Sequence, residues 1–274
     1  MCKAIPLEIL SIMENKNDRP LVSFIVTTYN LPTTLLCECL QSILSLSLSK
    51  EEREIIVVDD GSEVSPLNDL VELRDKIVYV RQRNKGLSEA RNMGLVCAQG
   101  KFIQFVDGDD YLIQAPYEHC LDIARYKDAD IILFHETEEE QPEVPFECNG
   151  PMTGSAYMHQ YNLRASACGY LFRANILGNL RFTPNLLHED EEFTPQLFLR
   201  AEHMYFTPSK AYYYRQRSGS ITQEDNMRHM AKRLDNTESI ILRLLDIAQH
   251  SPEMERVALN RRIAQLTMDH QIGR

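Results

Sequence analysis

The feature that most restricts the fold is "LVSFIVTTYN", residues 21–30, because its design recurs along the chain. The run is apolar and β-branched with no polar alternation, as a strand covered on both faces requires. "REIIVVDDGS" (residues 53–62), "KIVYVRQ", "KFIQFVDGDD" and "DIILFHETEE" repeat it. Between them lie segments of helical spacing. "PTTLLCECLQSILSLSLS" carries apolar side chains at Leu35, Leu36, Cys39, Leu40, Ile43 and Leu44, with Pro32 near its start. "VSPLNDLVELRD" reads as a second helix, residues 88–98 as a third stopped by Gly100, and "APYEHCLDIARYKDA" as a fourth. Strand and helix in alternation predict an α/β chain with a mostly parallel central sheet flanked by helices. Ligands of such sheets sit at the carboxyl ends of the strands. The polar clusters fall there: residues 27–30, 59–62 and 107–110.

After about residue 137 the pattern changes. "ETEEEQPEVPFECNGPMTG" is acidic and proline-rich and reads as a solvated loop. Residues 168–222 mix short strands with a helix near 191–201, and amphipathic helices follow from about 226. The division this predicts is an extension over 1–19, a domain over 20–225 and a helical region over 226–274. For those last helices the spacing favours packing on the domain over dimerisation or contact with a membrane surface.

Composition narrows the partners. The 274 residues carry a net charge of −11, which opposes general nucleic-acid binding but not a local basic pocket for a small anion. Seven cysteines, an odd number without a CxxC pair, argue against a disulfide framework or structural zinc and for a reducing compartment. The first 20 residues do not read as a secretory signal, and no run of about 18 apolar residues offers a spanning helix.

The chemistry starts from "FVDGDD". Three carboxylates within four positions repel one another unless a cation or a set of donors lies among them. Hard cations such as Mg²⁺ and Mn²⁺ take one or two carboxylates and complete their shell with substrate phosphates, so Asp107 and Asp109 form a candidate metal pair. The alternative is a solvated turn in which Gly108 supplies a positive φ. "VTTYN" offers hydroxyls and a tyrosine that can grip a flat base, and "VVDDGS" an acid for a base N–H; both also suit helix caps. In "NKGLSEARNMG", Arg91 at a helix start reaches either a phosphate or a nearby carboxylate. "HEDEEF" opens a helix with four acids, favoured there by the helix dipole; one of them facing a cleft would serve as a general base. "YYYRQRSGSIT" sets Arg215 and Arg217 in a loop that suits an anionic ligand or an ordinary exposed turn.

Taken in order, "SFIVTTYN", "IIVVDDGS", "NKGLSEARNMGL", "FVDGDD", "HEDEEF" and "YYYRQRSGSIT" resemble the family-two inverting glycosyltransferases of GT-A fold, over residues 20–222. The resemblance implies a Rossmann-like GT-A sheet and transfer of a sugar, of hexosyltransferase type, from a nucleoside diphosphate sugar to a hydroxyl. It places Thr27, Tyr29 and Asp60 at the base, and Asn84, Arg91 and Asp107 along the rest of the donor. Asp109 and Asp107 match the ligands of a divalent cation, Mn²⁺ or Mg²⁺, with Asp110 as an alternative to Asp109. Asp190 matches the catalytic base, with Glu189 orienting it or touching the acceptor, and the acidic run admits a register shift. Arg215 and Arg217 are candidates for the diphosphate. Family membership further implies a UDP-sugar donor, a glycan or lipid-linked acceptor and a cytoplasmic setting at the inner face of a membrane. The alternatives are a metal-dependent nucleotidyltransferase, against which "TTYNLPTT" lacks a basic glycine-rich loop, and a non-catalytic scaffold of the same fold.

Overall fold

The computed structural model describes residues 19–139, 146–216 and 227–272. Its strands are β1 (Val22–Thr28), β2 (Arg53–Asp59), β3 (Val78–Arg81), β4 (Phe102–Asp107), β5 (Tyr111–Leu112), β6 (Ile131–Thr137), β7 (Asn149–Met152), β8 (Tyr170–Arg173) and β9 (Met204–Tyr213). The α-helices are α1 (Thr33–Leu44), α2 (Leu87–Cys97), α3 (Gln114–Tyr126), α4 (Gly154–Gln160), α5 (Asp190–Phe198), α6 (Met227–His250) and α7 (Glu253–Ile272).

Every residue of β1 is buried, as its unbroken apolar run requires. It pairs in parallel with β2 on one side and β4 on the other, and β3 extends the sheet beyond β2. That half is the parallel sheet that the sequence pattern calls for. Beyond β4 the sheet is mixed, in the order β3-β2-β1-β4-β8-β6-β9-β5, with β7 on β9. β8 is antiparallel to both β4 and β6, so the strand at 131–137 does not continue the parallel run. β6 and β9 are parallel, and β5 and β7 each lie antiparallel to β9.

The segment "VSPLNDLVELRD" departs from expectation: it forms two 3₁₀ turns, Pro66–Asn68 and Val71–Leu73. Leu67 and Val71 stay exposed while Pro66 and Leu70 are buried, so no continuous apolar stripe holds a helix to the sheet. Gly108 does not follow the solvated-turn alternative. Its φ is not positive; it is needed because a Cβ there would lie 2.8 Å from the Thr27 carbonyl oxygen. The final helices pack on the domain. Ile240 and Leu244 of α6 and Leu259 and Ile263 of α7 are buried, and the pair rests on α4 and α5. Among the described residues no helix is long and apolar enough to cross a membrane.

Helix α2 lies close against β1. A Cβ on Gly94 would meet the Ile25 side chain at 2.2 Å. Gly94→Ala is therefore expected to destabilise the protein by about 1–3 kcal/mol through overpacking. The urea midpoint reads this, and an unchanged midpoint would mean that α2 can move off the sheet without loss.

Candidate functional site

Parallel register sets the strand ends side by side: Thr27 lies opposite Asp107 on β4, and Thr28 opposite Asp59 on β2. Tyr29 follows, 48 % exposed at the edge of the sheet. Asp59 is wholly buried and structural: it accepts from the Ser62 N–H and the Tyr79 hydroxyl and pairs with Arg81. Asp60 holds the loop that leads into α2, accepting from Gln82 Nε2 at 2.7 Å, the Lys85 N–H at 3.0 Å and the Gly86 N–H at 2.8 Å. Asn84 of that loop lines the central cleft and also a shallower hollow with Gly61, Arg81, Gln82 and Arg83. Thr27, Tyr29 and Asp60 do not line the central cleft.

The three acids of "FVDGDD" have separate surroundings. Asp110 is 2 % exposed, and both of its oxygens are engaged: Oδ2 accepts from the Tyr212 hydroxyl at 2.7 Å and Oδ1 from the Arg215 N–H at 2.8 Å. Burial, followed by the charge of Asp107, pushes its carboxyl up to about 8. The Tyr212 hydroxyl also accepts from the Asp107 N–H. Asp107 Oδ1 accepts from Arg91 at 3.1 Å and from the Thr27 hydroxyl at 3.4 Å, while its side chain stays 33 % exposed. Asp109 is half-buried. Asp107 and Asp110 line the central cleft and Asp109 does not, but both oxygens of Asp110 are already engaged within the protein. Among the described residues no three His, Cys, Asp or Glu side chains could hold a metal by themselves.

Arg91 occupies the centre. It is 4 % exposed, with Nη1 on Glu189 at 2.6 Å and Nη2 on Asp107 at 3.1 Å. The guanidinium lies 5.5 Å from the Phe182 ring centroid and 5.8 Å from that of Phe105, which adds cation–π attraction. Of the two readings of Arg91, pairing with carboxylates is the one seen. Arg215 is also tied into the protein, through Glu38 at 2.6 Å and the Asp109 carbonyl at 3.0 Å, over the Tyr111 ring. It does not line the cleft. Arg217 lies outside the described residues.

The acids of "HEDEEF" divide sharply. Glu189 takes Arg91, Glu191 takes Arg262 of α7, and Glu192 takes Arg243 of α6 at 3.4 Å. Asp190 alone of the four makes no side-chain hydrogen bond or ion pair among the described residues, and it lines the cleft. Burial pushes its carboxyl well above the ordinary aspartate range, and the charge of Glu189 adds to this. Burial also raises Glu189, against the pull of Arg91.

The cleft encloses about 480 Å³ between the 84–88 loop, Asp107, residues 185–190, Tyr212 and Tyr214. Its remaining wall includes Lys232 and Arg233 of α6. Sequence reasoning missed this pair, since no motif surrounds them, and it missed Tyr212, whose link to Asp110 spans 102 residues.

Residues 23–151 match the family model "Glycosyl transferase family 2". The uncharacterized glycosyltransferase EpsJ of Bacillus subtilis (strain 168) is 31 % identical over 223 residues, 74 % of this chain. The match takes in 63 % of that relative, so the chain spans less than two thirds of its length. S. aureus TarS in complex with UDP-GlcNAc superposes with a TM-score of 0.72 at 23 % identity, over 90 % of this chain and 71 % of that one. The mannosyltransferase PcManGT from Pyrobaculum calidifontis, in complex with GDP-Man and Mn²⁺, superposes with a TM-score of 0.63 at 15 % identity, over 94 % and 72 %. At these identities the two structures establish a common fold.

Replacing Arg91 by Met leaves Glu189 buried with no cation beside it. Breaking a buried pair in this way is expected to cost about 3–5 kcal/mol, read from denaturant unfolding. A loss under about 1 kcal/mol, the size of an exposed pair, would show that Arg91 is not the tie described here.

Proposed function

Because residues 23–151 make this chain a member of glycosyl transferase family 2 and its fold is GT-A, we propose that it transfers a sugar from a nucleoside diphosphate sugar to an acceptor hydroxyl with inversion at the anomeric carbon. The observation that carries this reading is Asp190, which lines the cleft and, alone of its run, has no side-chain hydrogen bond or ion pair among the described residues. A single in-line displacement needs one base. The acceptor oxygen bonds to the anomeric carbon, the bond to the diphosphate breaks with its electron pair, and the hydroxyl proton passes to Asp190. A carboxyl with a raised pKa suits that task near neutral pH.

The donor diphosphate occupies the cleft beside Asp107, with Lys85, Lys232 and Arg233 as cationic wall residues. Asp109 and Asp107 would hold a divalent cation, which stabilises charge developing on the leaving diphosphate. The base of the nucleotide lies toward Thr27, Tyr29 and Asp60. Asp60 already organises the 84–86 turn, so its part in base contact is shared with that duty. Arg91 acts as a positioning residue between Asp107 and Glu189. Arg215 and Arg217 are assigned to the donor by resemblance only. A UDP-sugar is the first donor to test, since TarS holds UDP-GlcNAc; GDP-Man in PcManGT makes GDP the second. The acceptor is a glycan or lipid-linked glycan. It enters past His188 and Arg233, which the cleft shares with a neighbouring hollow of about 280 Å³ lined partly by Met230, Leu234, Ile240 and Leu266.

Calorimetric titration with UDP, GDP and dTDP, with and without Mn²⁺, tests the donor site. Metal-dependent binding of one of them supports the reading, and binding of none by a folded sample would sink it. Asp109→Ala should abolish the Mn²⁺ dependence; unchanged dependence moves the ligand to a neighbour. Asp190→Asn should lower kcat by about 10²–10⁴-fold while nucleotide affinity holds. The base must be ionised to work. Its raised pKa therefore makes kcat/KM fall on the acid side at a pH above the ordinary carboxylate range. An acid limb near 4, typical of an unperturbed carboxylate, would assign the base elsewhere.

A further inference from the structure

The two C-terminal helices share no motif with the rest of the site, yet they reach its centre. The α5 helix begins at Asp190, and its first turn is acidic throughout. Glu191, next to Asp190, is paired with Arg262 of α7. Arg262 is 6 % exposed, a rare state for an arginine, and its Nη1 donates to the Leu163 carbonyl at 2.7 Å. Glu192 is held by Arg243 of α6, which also reaches the Thr183 hydroxyl at 3.2 Å. On the opposite side Glu189 is held by Arg91 of α2. The three acids around Asp190, which has no side-chain hydrogen bond or ion pair among the described residues, are thus gripped by three arginines from three helices.

From this geometry we infer that the C-terminal helical pair belongs to the catalytic apparatus: Arg262, supported by Arg243, is a positioning residue that fixes the first turn of α5 and so aims Asp190 into the cleft. The inference rests on Asp190 being the base. A buried guanidinium needs strong partners, and Arg262 has a carboxylate of α5, the main-chain carbonyl of residue 163 and, from its own helix, Gln265 Oε1 at 3.3 Å. Leu163 and Gln265 hold the guanidinium from outside α5, so α5 cannot turn about its axis without separating Glu191 from Arg262. Such a turn would carry Asp190 out of line, because adjacent residues of a helix point about 100° apart. Small misplacement of a base costs rate more than it costs donor binding. Arg91 alone does not prevent the turn, since it grips only the residue before the helix.

The test uses the full chain with Arg262→Met, Arg262→Lys and Glu191→Gln. The first readout needs no substrate: amide hydrogen exchange at Glu191, Glu192 and Phe193, whose N–H groups close the first turn. Exchange there should rise at least tenfold in Arg262→Met, with β1 and β4 unchanged and Arg262→Lys intermediate. The second readout is hydrolysis of UDP-GlcNAc and UDP-glucose, alongside calorimetric affinity for UDP. The expected result is kcat down tenfold or more, UDP affinity within twofold, and partial recovery by lysine. Should Arg262→Met fail to fold, Glu191→Gln weakens the same pair from the other side and is read in the same two ways. Unchanged exchange in a folded variant overturns the inference. So does a loss of UDP affinity in step with kcat, which marks general collapse of the site. A wild-type protein that turns over neither donor counts against the transferase reading, and the exchange data still decide whether Arg262 fixes α5.

Discussion

The site depends on one buried guanidinium. Arg91 joins Asp107, at the end of β4, to Glu189, at the threshold of α5, two carboxylates 82 positions apart in sequence (189 − 107). Without it those acids would face one another in a partly buried space, where like charges are costly. With it, the end of the parallel sheet and the start of the acidic helix keep a fixed separation. The aromatic floor of Phe105, Phe182 and Phe193 supports the same point, with Phe182 and Phe193 stacked at 3.9 Å. The end of β4 and the start of α5 are therefore held against each other by the fold itself.

A chain with a net charge of −11 gathers many of its acids around this cleft, and most of them have internal tasks. Asp59 ties the β2 end to Tyr79 and Arg81, Asp60 shapes the turn before α2, and Asp110 anchors Tyr212 and the main chain at Arg215. Acids with buried partners are fixed in place; the few that remain partly open are the ones able to act on something else. Asp107 is tied to the buried Arg91 yet stays partly open, and Asp190 lines the cleft with no side-chain hydrogen bond or ion pair among the described residues.

Much of this was legible from sequence, for identifiable reasons. β1, β2 and β4 were readable because strands buried on both faces need unbroken apolar runs, and their polar ends mark the ligand edge. The acidic helix start was readable from composition alone. The mixed half of the sheet was not. β8 has four residues, and nothing local in "YLFR" encodes an antiparallel fit between β4 and β6. The duties of Arg91, Asp110 and Arg262 were hidden for a related reason: each depends on a partner at least 71 positions away, and local pattern carries no trace of it. Resemblance to a family supplied roles for these residues but not the contacts that hold them.

The late insertion of β8 has a consequence for the birth of the protein. A chain made from its N-terminus can join β1, β2, β3 and β4 as soon as residue 107 is available, but β6 has no neighbour on its β4 side until residues 170–173 appear. Glu189 arrives later still, and the helices bearing Arg243 and Arg262 last of all. A nascent chain therefore passes through a stage with a finished parallel half, an uncovered β4 edge and an Arg91 whose second carboxylate has not yet been made. Open edges of that kind invite mispairing, so the interval between residues 107 and 173 is when this fold most needs protection on the ribosome.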